Sequence, residues 1–69
     1  MEKLRVLFGK KLRSIRRIQD FTQEEFAEKL GVSVEFVSNM ERGINAPSFE
    51  TLEKIANVLN IRISELFDF

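Results

Sequence analysis

Four residue types that carry much of protein chemistry are missing from this 69-residue sequence, which has no Cys, His, Trp or Tyr. Without Cys there is no disulfide, thiolate nucleophile, zinc ribbon or iron–sulfur cluster, and without His there is no imidazole base or metal ligand. The carboxylates are scattered along the chain and show no paired spacing typical of catalysis. We therefore expect no catalytic residue, no metal and no cofactor, and we expect that the chain is not an enzyme.

Long apolar runs are missing as well. The apolar stretches are far shorter than the roughly 20 residues that a membrane span needs. Charged residues interrupt the N-terminus, which lacks the layout of a signal peptide. A chain of 69 residues also leaves room for only one hydrophobic core. We predict a single domain over residues 1–69, soluble and cytoplasmic, with no membrane partner.

The sequence has only three Gly and one Pro, so there are few places for turns. Elsewhere apolar residues recur at three- and four-residue steps, as on one face of a helix, and no strand-like alternation occurs. The spacing predicts helices over about residues 3–19, 22–31 and 33–41, a fourth beginning near residue 48, and a short fifth turn near 63–67. The predicted buried faces carry Leu4, Phe8, Leu12, Ile15, Phe26, Ala27, Leu30, Phe49, Leu52, Ile55, Ala56 and Leu59.

Local signals mark where these helices begin and end. Thr22 and Glu25 fit a capping box, in which each side chain accepts a hydrogen bond from the other residue's backbone N–H. Gly31 can take the positive φ that ends the second helix, and Ser33 is a good N-cap for the third. Gly9 lies inside the first helix, where it is expected to cost about 1 kcal/mol relative to Ala.

The second and third helices are separated by only about three residues, which is the spacing of a DNA-binding helix-turn-helix. One side of the third helix is apolar and is predicted to face the core. Short polar side chains on the opposite side are what direct reading of bases requires, because they can lie close to the floor of the major groove. On that side lie Glu35, Ser38, Asn39 and Arg42, with Val34 at its edge.

The segment TQEEFAEKLGVSVEFVSNMERG, Thr22 to Gly43, resembles the Cro/phage-repressor class of bacterial and phage helix-turn-helix regulators. The similarity extends over about residues 8–67. It implies an all-α, compact five-helix lambda-repressor-like domain with helices two and three as the helix-turn-helix. The implied function is that of a sequence-specific transcriptional regulator, of repressor or controller type, which binds a palindromic operator in double-stranded DNA as a homodimer through helix 33–41.

The resemblance also implies which residues contact bases. Asn39 can pair with adenine N6 and N7, Glu35 can accept from cytosine N4, and Val34 can touch a thymine methyl group. The alternatives are an ordinary solvated face, a Glu35 paired with a Lys or Arg, and a Val34 at the rim of the core. The implied base-contact positions are Ser33, Val34, Glu35, Ser38 and Asn39.

Phosphate contacts are predicted around this helix. Gln23 stands at the N-terminus of the second helix, where free N–H groups favour an anion. The resemblance implies that Gln23 contacts the DNA backbone and braces a side chain of the recognition helix. The further candidates are Arg42, Asn45, Ser48, Arg13 and Lys11. For Gln23, Arg13 and Lys11 the alternative is an ordinary solvated side chain.

Two charged residues are implied by the resemblance to be structural, since Arg16 and Glu41 match a largely buried ion pair between the first and third helices. The sequence departs from the family at Asp20 and Asn60, which stand where Gly is frequent and predict strained or side-chain-capped turns. Arg62 replaces a Ser-like cap, which leaves the start of the fifth helix open by a residue or two.

The formal net charge is zero, although nucleic-acid-binding domains are commonly basic. Residues 1–20 carry seven Lys and Arg against two Asp and Glu, and residues 21–69 carry four against nine. The chain is therefore polarised, with a basic first helix. We expect its non-specific affinity for DNA to be weaker than that of a basic relative, and its binding to rely more on base contacts and dimerisation. The alternative function is a protein-interaction module, antitoxin-like, that binds a toxin or a polymerase subunit. The apolar residues near both termini either cover the core or form a dimer contact.

Overall fold

The computed structural model describes residues 3–69, which form four α-helices followed by a 3-10 turn. The helices are α1 (Leu4–Ile18), α2 (Gln23–Leu30), α3 (Val34–Glu41) and α4 (Phe49–Leu59), and the 3-10 turn spans Ile63–Phe67. This part of the chain contains no strand, and none of its helices is long and apolar enough to cross a bilayer. The prediction of an all-helical chain is confirmed.

The predicted fifth helix is not an α-helix. The segment Ile63–Phe67 is five residues long, and Arg62 before it makes no side-chain capping hydrogen bond. A segment this short and uncapped gains too few hydrogen bonds to offset the cost of starting an α-helix, so it forms the tighter 3-10 turn. Leu66 is fully buried and holds the turn against the core.

The capping signals are confirmed. Thr22 Oγ1 accepts from the Glu25 backbone N–H at 3.0 Å, and Glu25 Oε1 accepts from the Thr22 backbone N–H at 2.9 Å. Ser33 caps α3 by accepting from the Phe36 N–H at 3.0 Å. Asp20 and Asn60 take positive φ values of 62° and 54°, so they occupy the left-handed conformation that Asp and Asn tolerate better than most residues.

The capping box makes stability depend on pH. The hydrogen bond from the Thr22 backbone, and then the one from its hydroxyl, lower the pKa of the Glu25 carboxyl below its usual value. Because the folded-state pKa is the lower one, the stabilisation is present above the unfolded-state pKa and is lost as pH falls through the folded-state value.

We therefore expect Glu25→Gln to reduce the loss of stability on acidification. Urea unfolding at several pH values from neutral to strongly acidic would measure it, and Glu24→Gln, the exposed neighbour on the same turn, is the matched control. Superimposable stability–pH profiles for the two variants would contradict a role for the Glu25 charge in the cap.

One core is shared by all five elements. It consists of Phe8, Leu12, Phe26, Ala27, Leu30, Val37, Met40, Leu52, Ile55, Leu59 and Leu66. The prediction was wrong for Phe49 and Leu4, which are 83% and 60% exposed. Each is the first residue of its helix, a turn before the stretch that another helix covers.

The apolar residues at the C-terminus differ in burial. Phe67 packs against the ring of Phe8, with 5.4 Å between the ring centroids, whereas Phe69 is mostly exposed.

Gly9 has a packing function that helix propensity did not predict. A Cβ atom at this position would lie 2.4 Å from the carbonyl oxygen of Met40 and 2.7 Å from that of Glu41. The backbones of α1 and α3 therefore touch, and only Gly fits. One turn earlier in α1, Arg5 Nε donates to the carbonyl oxygen of Gly43 at 2.9 Å. This hydrogen bond also joins α1 to the loop that follows α3.

We expect Gly9→Ala to lower the free energy of unfolding by up to about 2 kcal/mol, although Ala is the better helix former. Overpacking a tight contact costs roughly 1–3 kcal/mol of stability, and here the contacting atoms belong to the backbone and cannot rotate away. The better helix propensity of Ala offsets only about 1 kcal/mol of that cost. Chemical denaturation would measure the change. Ser14→Ala, on the exposed side of the same helix, is the control and should be neutral or stabilising. A stabilised Gly9→Ala protein would contradict the close contact.

Candidate nucleic-acid interface

The turn between α2 and α3 consists of three residues, Gly31 to Ser33, as the helix-turn-helix spacing predicted. It is closed by a hydrogen bond from the Val32 N–H to the Ala27 carbonyl at 3.0 Å. The small Ala27 side chain is buried, which permits the two helices to approach closely. Val37 and Met40 on α3 are fully buried, so the opposite side of α3 is turned toward solvent.

That outer side presents the predicted base-contact residues. Ser33, Val34 and Glu35 are exposed at the start of the helix, and Ser38 and Asn39 are half-buried. Val34 is 40% exposed and lies outside the core cluster, so it is available at the surface. Within residues 3–69 the side chains of Ser38 and Asn39 make no hydrogen bond and Glu35 makes no ion pair. These three polar groups are therefore available to a ligand.

The inner end of α3 is fixed by a buried ion pair. Arg16 Nε donates to Glu41 Oε2 at 2.6 Å and Nη2 donates to Oε1 at 3.0 Å. The third nitrogen, Nη1, donates to the carbonyl oxygen of Phe21 at 2.6 Å. Both charged residues are only 6% exposed. The bidentate pair joins α1 to α3, and the Phe21 bond ties in the segment that enters α2.

Gln23 belongs to the same network. It is the first residue of α2, and its Nε2 donates to Glu41 Oε1 at 3.0 Å. The same oxygen atom of Glu41 thus accepts from Arg16 and from Gln23. The amide of Gln23 is held in one orientation, with its second N–H still available.

A polar pocket opens where α1, α2 and α3 meet. Its volume is about 250 Å³, and it is lined by Arg13, Gln23, Ser38, Glu41 and Arg42. The structure therefore brings together three predicted phosphate residues and one predicted base-contact residue. Because the carboxylate of Glu41 is already paired with Arg16, the cations of Arg13 and Arg42 leave the pocket electropositive, which suits an anion.

The other predicted phosphate residues lie apart from this pocket. Ser48 caps α4, since its Oγ accepts from the Thr51 N–H at 3.1 Å and donates to Thr51 Oγ1 at 3.0 Å. Asn45 is half-buried in the loop after α3. Lys11 is not brought to the interface, because two residues along a helix place it about 200° from Arg13. It lines a separate groove with Glu65 and Asp68.

The sequence pattern did not predict that three positions, Gly9, Gly43 and Arg5, support the interface. Gly9 and Gly43 permit close approach of α1 to α3 and to the loop after it, and Arg5 binds the carbonyl of Gly43. The available signal was a Gly inside an otherwise regular helix, which frequently marks a close contact. Nothing in the local pattern distinguishes Arg5 from the other cations of α1.

The fold and the free side of α3 together define a helix-turn-helix protein, and comparison with known proteins agrees. A family model described as helix-turn-helix (HTH_3) matches residues 12–66. The uncharacterised HTH-type transcriptional regulator YazB of Bacillus subtilis (strain 168) is 40% identical over 60 residues, which cover 87% of this chain and 87% of YazB.

Solved structures show the same similarity. The restriction-modification controller protein C.AhdI from Aeromonas hydrophila gives a TM-score of 0.88 at 35% identity, covering 91% of this chain and 96% of its own. The biofilm master regulator SinR, solved in complex with DNA, gives 0.82 at 32% identity, covering 88% and 98%. The chain belongs to the helix-turn-helix family of transcriptional regulators. Control proteins and phage repressors are among its relatives, which confirms the resemblance seen in the sequence.

The buried ion pair predicts that substitutions of Arg16 and Glu41 have strongly non-additive effects on the free energy of unfolding. We expect Arg16→Met and Glu41→Met each to lower the free energy of unfolding by about 3–5 kcal/mol, because each leaves the partner's charge buried and unpaired. The double variant should lose less than the sum of the two. Urea unfolding of all four proteins at one pH would measure the cycle.

Lys54→Met and Glu53→Met, which replace two exposed charges on α4, form the matched control cycle and should have small, additive effects. Additive losses in the Arg16 and Glu41 cycle would contradict the pairing.

Proposed function

We propose that this chain is a sequence-specific DNA-binding transcriptional regulator that inserts the outer side of α3 into the major groove. The observation that carries the proposal is the contrast between the two sides of α3. Its inner side is fixed by the core and by the Arg16–Glu41–Gln23 network, whereas its outer side has polar groups with no partner within residues 3–69. A rigid helix with a free polar side can read base edges without rearrangement.

The residues that read bases are Ser33, Val34, Glu35, Ser38 and Asn39. Asn39 pairs with an adenine through N6 and N7, Glu35 accepts from a cytosine N4, and Val34 contacts a thymine methyl group. The hydroxyl of Ser33 accepts from the Phe36 N–H as the helix cap, so its own proton remains available for donation.

Phosphate binding is assigned to the polar pocket. Gln23 offers its second amide N–H at the N-terminus of α2, a part of a helix that favours an anion. Arg13 and Arg42 supply charge. Glu41 holds the Gln23 amide in position. A second phosphate site is assigned to Asn45 and to Ser48, the N-cap of α4, whose hydroxyl would turn from Thr51 Oγ1 to donate to a phosphate oxygen.

Two copies acting together complete the proposal. A single recognition helix buries too little surface for high specificity, so a homodimer binds two half-sites about 34 Å apart in a palindromic operator. In vitro selection of bound duplexes tests both parts, because a dimer yields a palindrome with that spacing. Sedimentation with and without the selected duplex measures the number of copies bound.

One observation favours the protein-interaction alternative. Leu4 and Phe49 are exposed at the edge of an apolar groove of about 410 Å³ whose walls include Phe8, Leu52 and Phe67. A module that only bound a protein such as a toxin or a polymerase subunit would use this groove and would prefer no DNA sequence. The selection experiment distinguishes the two functions.

We expect Asn39→Ala to weaken binding to the selected operator by about 1–3 kcal/mol and to leave binding to an unrelated duplex of equal length unchanged, because Asn39 reads a base and not the backbone. Fluorescence anisotropy at one fixed salt concentration measures both affinities. Asn57→Ala, at an exposed position of α4, is the matched control. Equal weakening on the two duplexes would contradict base reading by Asn39.

A further inference from the structure

We propose that a stripe of residues on α1 forms a second DNA-backbone contact, continuous with the polar pocket; this inference rests on the proposed function. The α1 stripe consists of Lys10, Arg13, Ser14 and Arg17, which line one shallow depression. All four residues are exposed. Their spacing of three, four and seven residues places them on the same side of α1, away from the core residues Phe8 and Leu12.

The stripe and the polar pocket share a residue. Arg13 lines the pocket beside Gln23 and Arg42, and it also lines the depression beside Ser14 and Arg17. The two depressions are therefore contiguous, and cations line them from Arg42, just after α3, to Arg17 on α1. A DNA strand whose phosphate occupies the pocket would have its neighbouring phosphates next to the stripe.

Two cations of the stripe, Arg13 and Arg17, have no carboxylate partner within residues 3–69. Residues 3–19 contain seven Lys and Arg and no Asp or Glu. Arg16 is paired with Glu41, but within residues 3–69 neither Arg13 nor Arg17 makes an ion pair with a carboxylate. The acidic residues of the described chain belong to the segments after α1. The net charge of zero is therefore the sum of a positive charge on residues 1–20 and an equal negative charge on residues 21–69.

The length of the stripe suits a DNA backbone. Lys10 and Arg17 are seven residues apart, which is about 10 Å along a helix, whereas phosphates of one strand follow each other about every 3.4 Å along the DNA axis. Because the strand also winds around that axis, its successive phosphates lie farther apart than the rise alone, and the stripe can contact about two of them. The hydroxyl of Ser14 lies among the cations, where it can donate to a phosphate oxygen.

The test compares Arg17→Gln with Lys54→Gln, which removes the same charge from the exposed side of α4. Affinity is measured on the selected operator and on an unrelated duplex of equal length over a series of salt concentrations. We expect Arg17→Gln to lower the slope of log K against log salt by about 0.9, the value for one phosphate contact. Affinity for both duplexes should fall by the same factor, up to about fivefold, because a backbone contact is blind to sequence.

A second pair of variants adds a charge. Ser14→Glu puts a carboxylate inside the stripe, and Asn57→Glu puts one on the exposed side of α4. We expect Ser14→Glu to weaken binding to both duplexes more than Arg17→Gln does, and Asn57→Glu to leave it near the wild-type value. Thermal unfolding checks that all four variants fold, which the exposure of these positions favours.

The stripe proposal is overturned if Arg17→Gln and Ser14→Glu bind both duplexes as their controls do. It is equally overturned if the two variants alter only self-association in sedimentation without DNA, since the stripe would then meet the acidic side of another copy. The proposed function fails on a different result, namely a wild-type chain that prefers no DNA sequence. In that case the stripe is still measured on the unrelated duplex.

Discussion

The ion pair between Arg16 and Glu41 is the interaction on which the other parts of the interface depend. It joins α1 to the last residue of α3, and the third guanidinium nitrogen reaches the Phe21 carbonyl, where the chain turns into α2. Three helices are therefore positioned by one cation. A buried pair gains little over an apolar contact of the same size, but it holds its partners at fixed distances and angles. Here that geometry orients Gln23, because the carboxylate also accepts from its amide.

Such a pair requires the backbones of α1 and α3 to lie close together, and Gly9 provides the space. A side chain at that position would meet the carbonyl oxygens of Met40 and Glu41, the residues from which the pair extends. In a chain this small, each helix covers much of the core, so a displacement of α1 would expose Phe8 and Leu12 as well as separate the charges. Packing and electrostatics therefore impose the same arrangement on α1 and α3.

The periodicity of apolar residues predicted the four α-helices and most of the core, because a helix buried on one side has apolar residues at three- and four-residue steps. It failed at Phe49 and Leu4, since coverage by neighbouring helices is a property of the tertiary structure. It also could not show that Gly9 marks a contact. For the candidate site, the angular distribution around α3 identified its exposed side. Lys11 could have been separated from Arg13 by the same reasoning applied to α1, whereas the partner of Arg16 came only from resemblance.

The side chains on the outer side of α3 contribute little to the stability of the fold. Glu35, Ser38 and Asn39 make no hydrogen bond or ion pair through their side chains within residues 3–69, so replacing them should change stability by no more than about 0.5 kcal/mol. Gln23 and Arg16 have no such freedom, because they share Glu41. Under the proposed function, single substitutions on the outer side of α3 can therefore change which operator the chain prefers and leave both the folding and the proposed contacts to the DNA backbone intact.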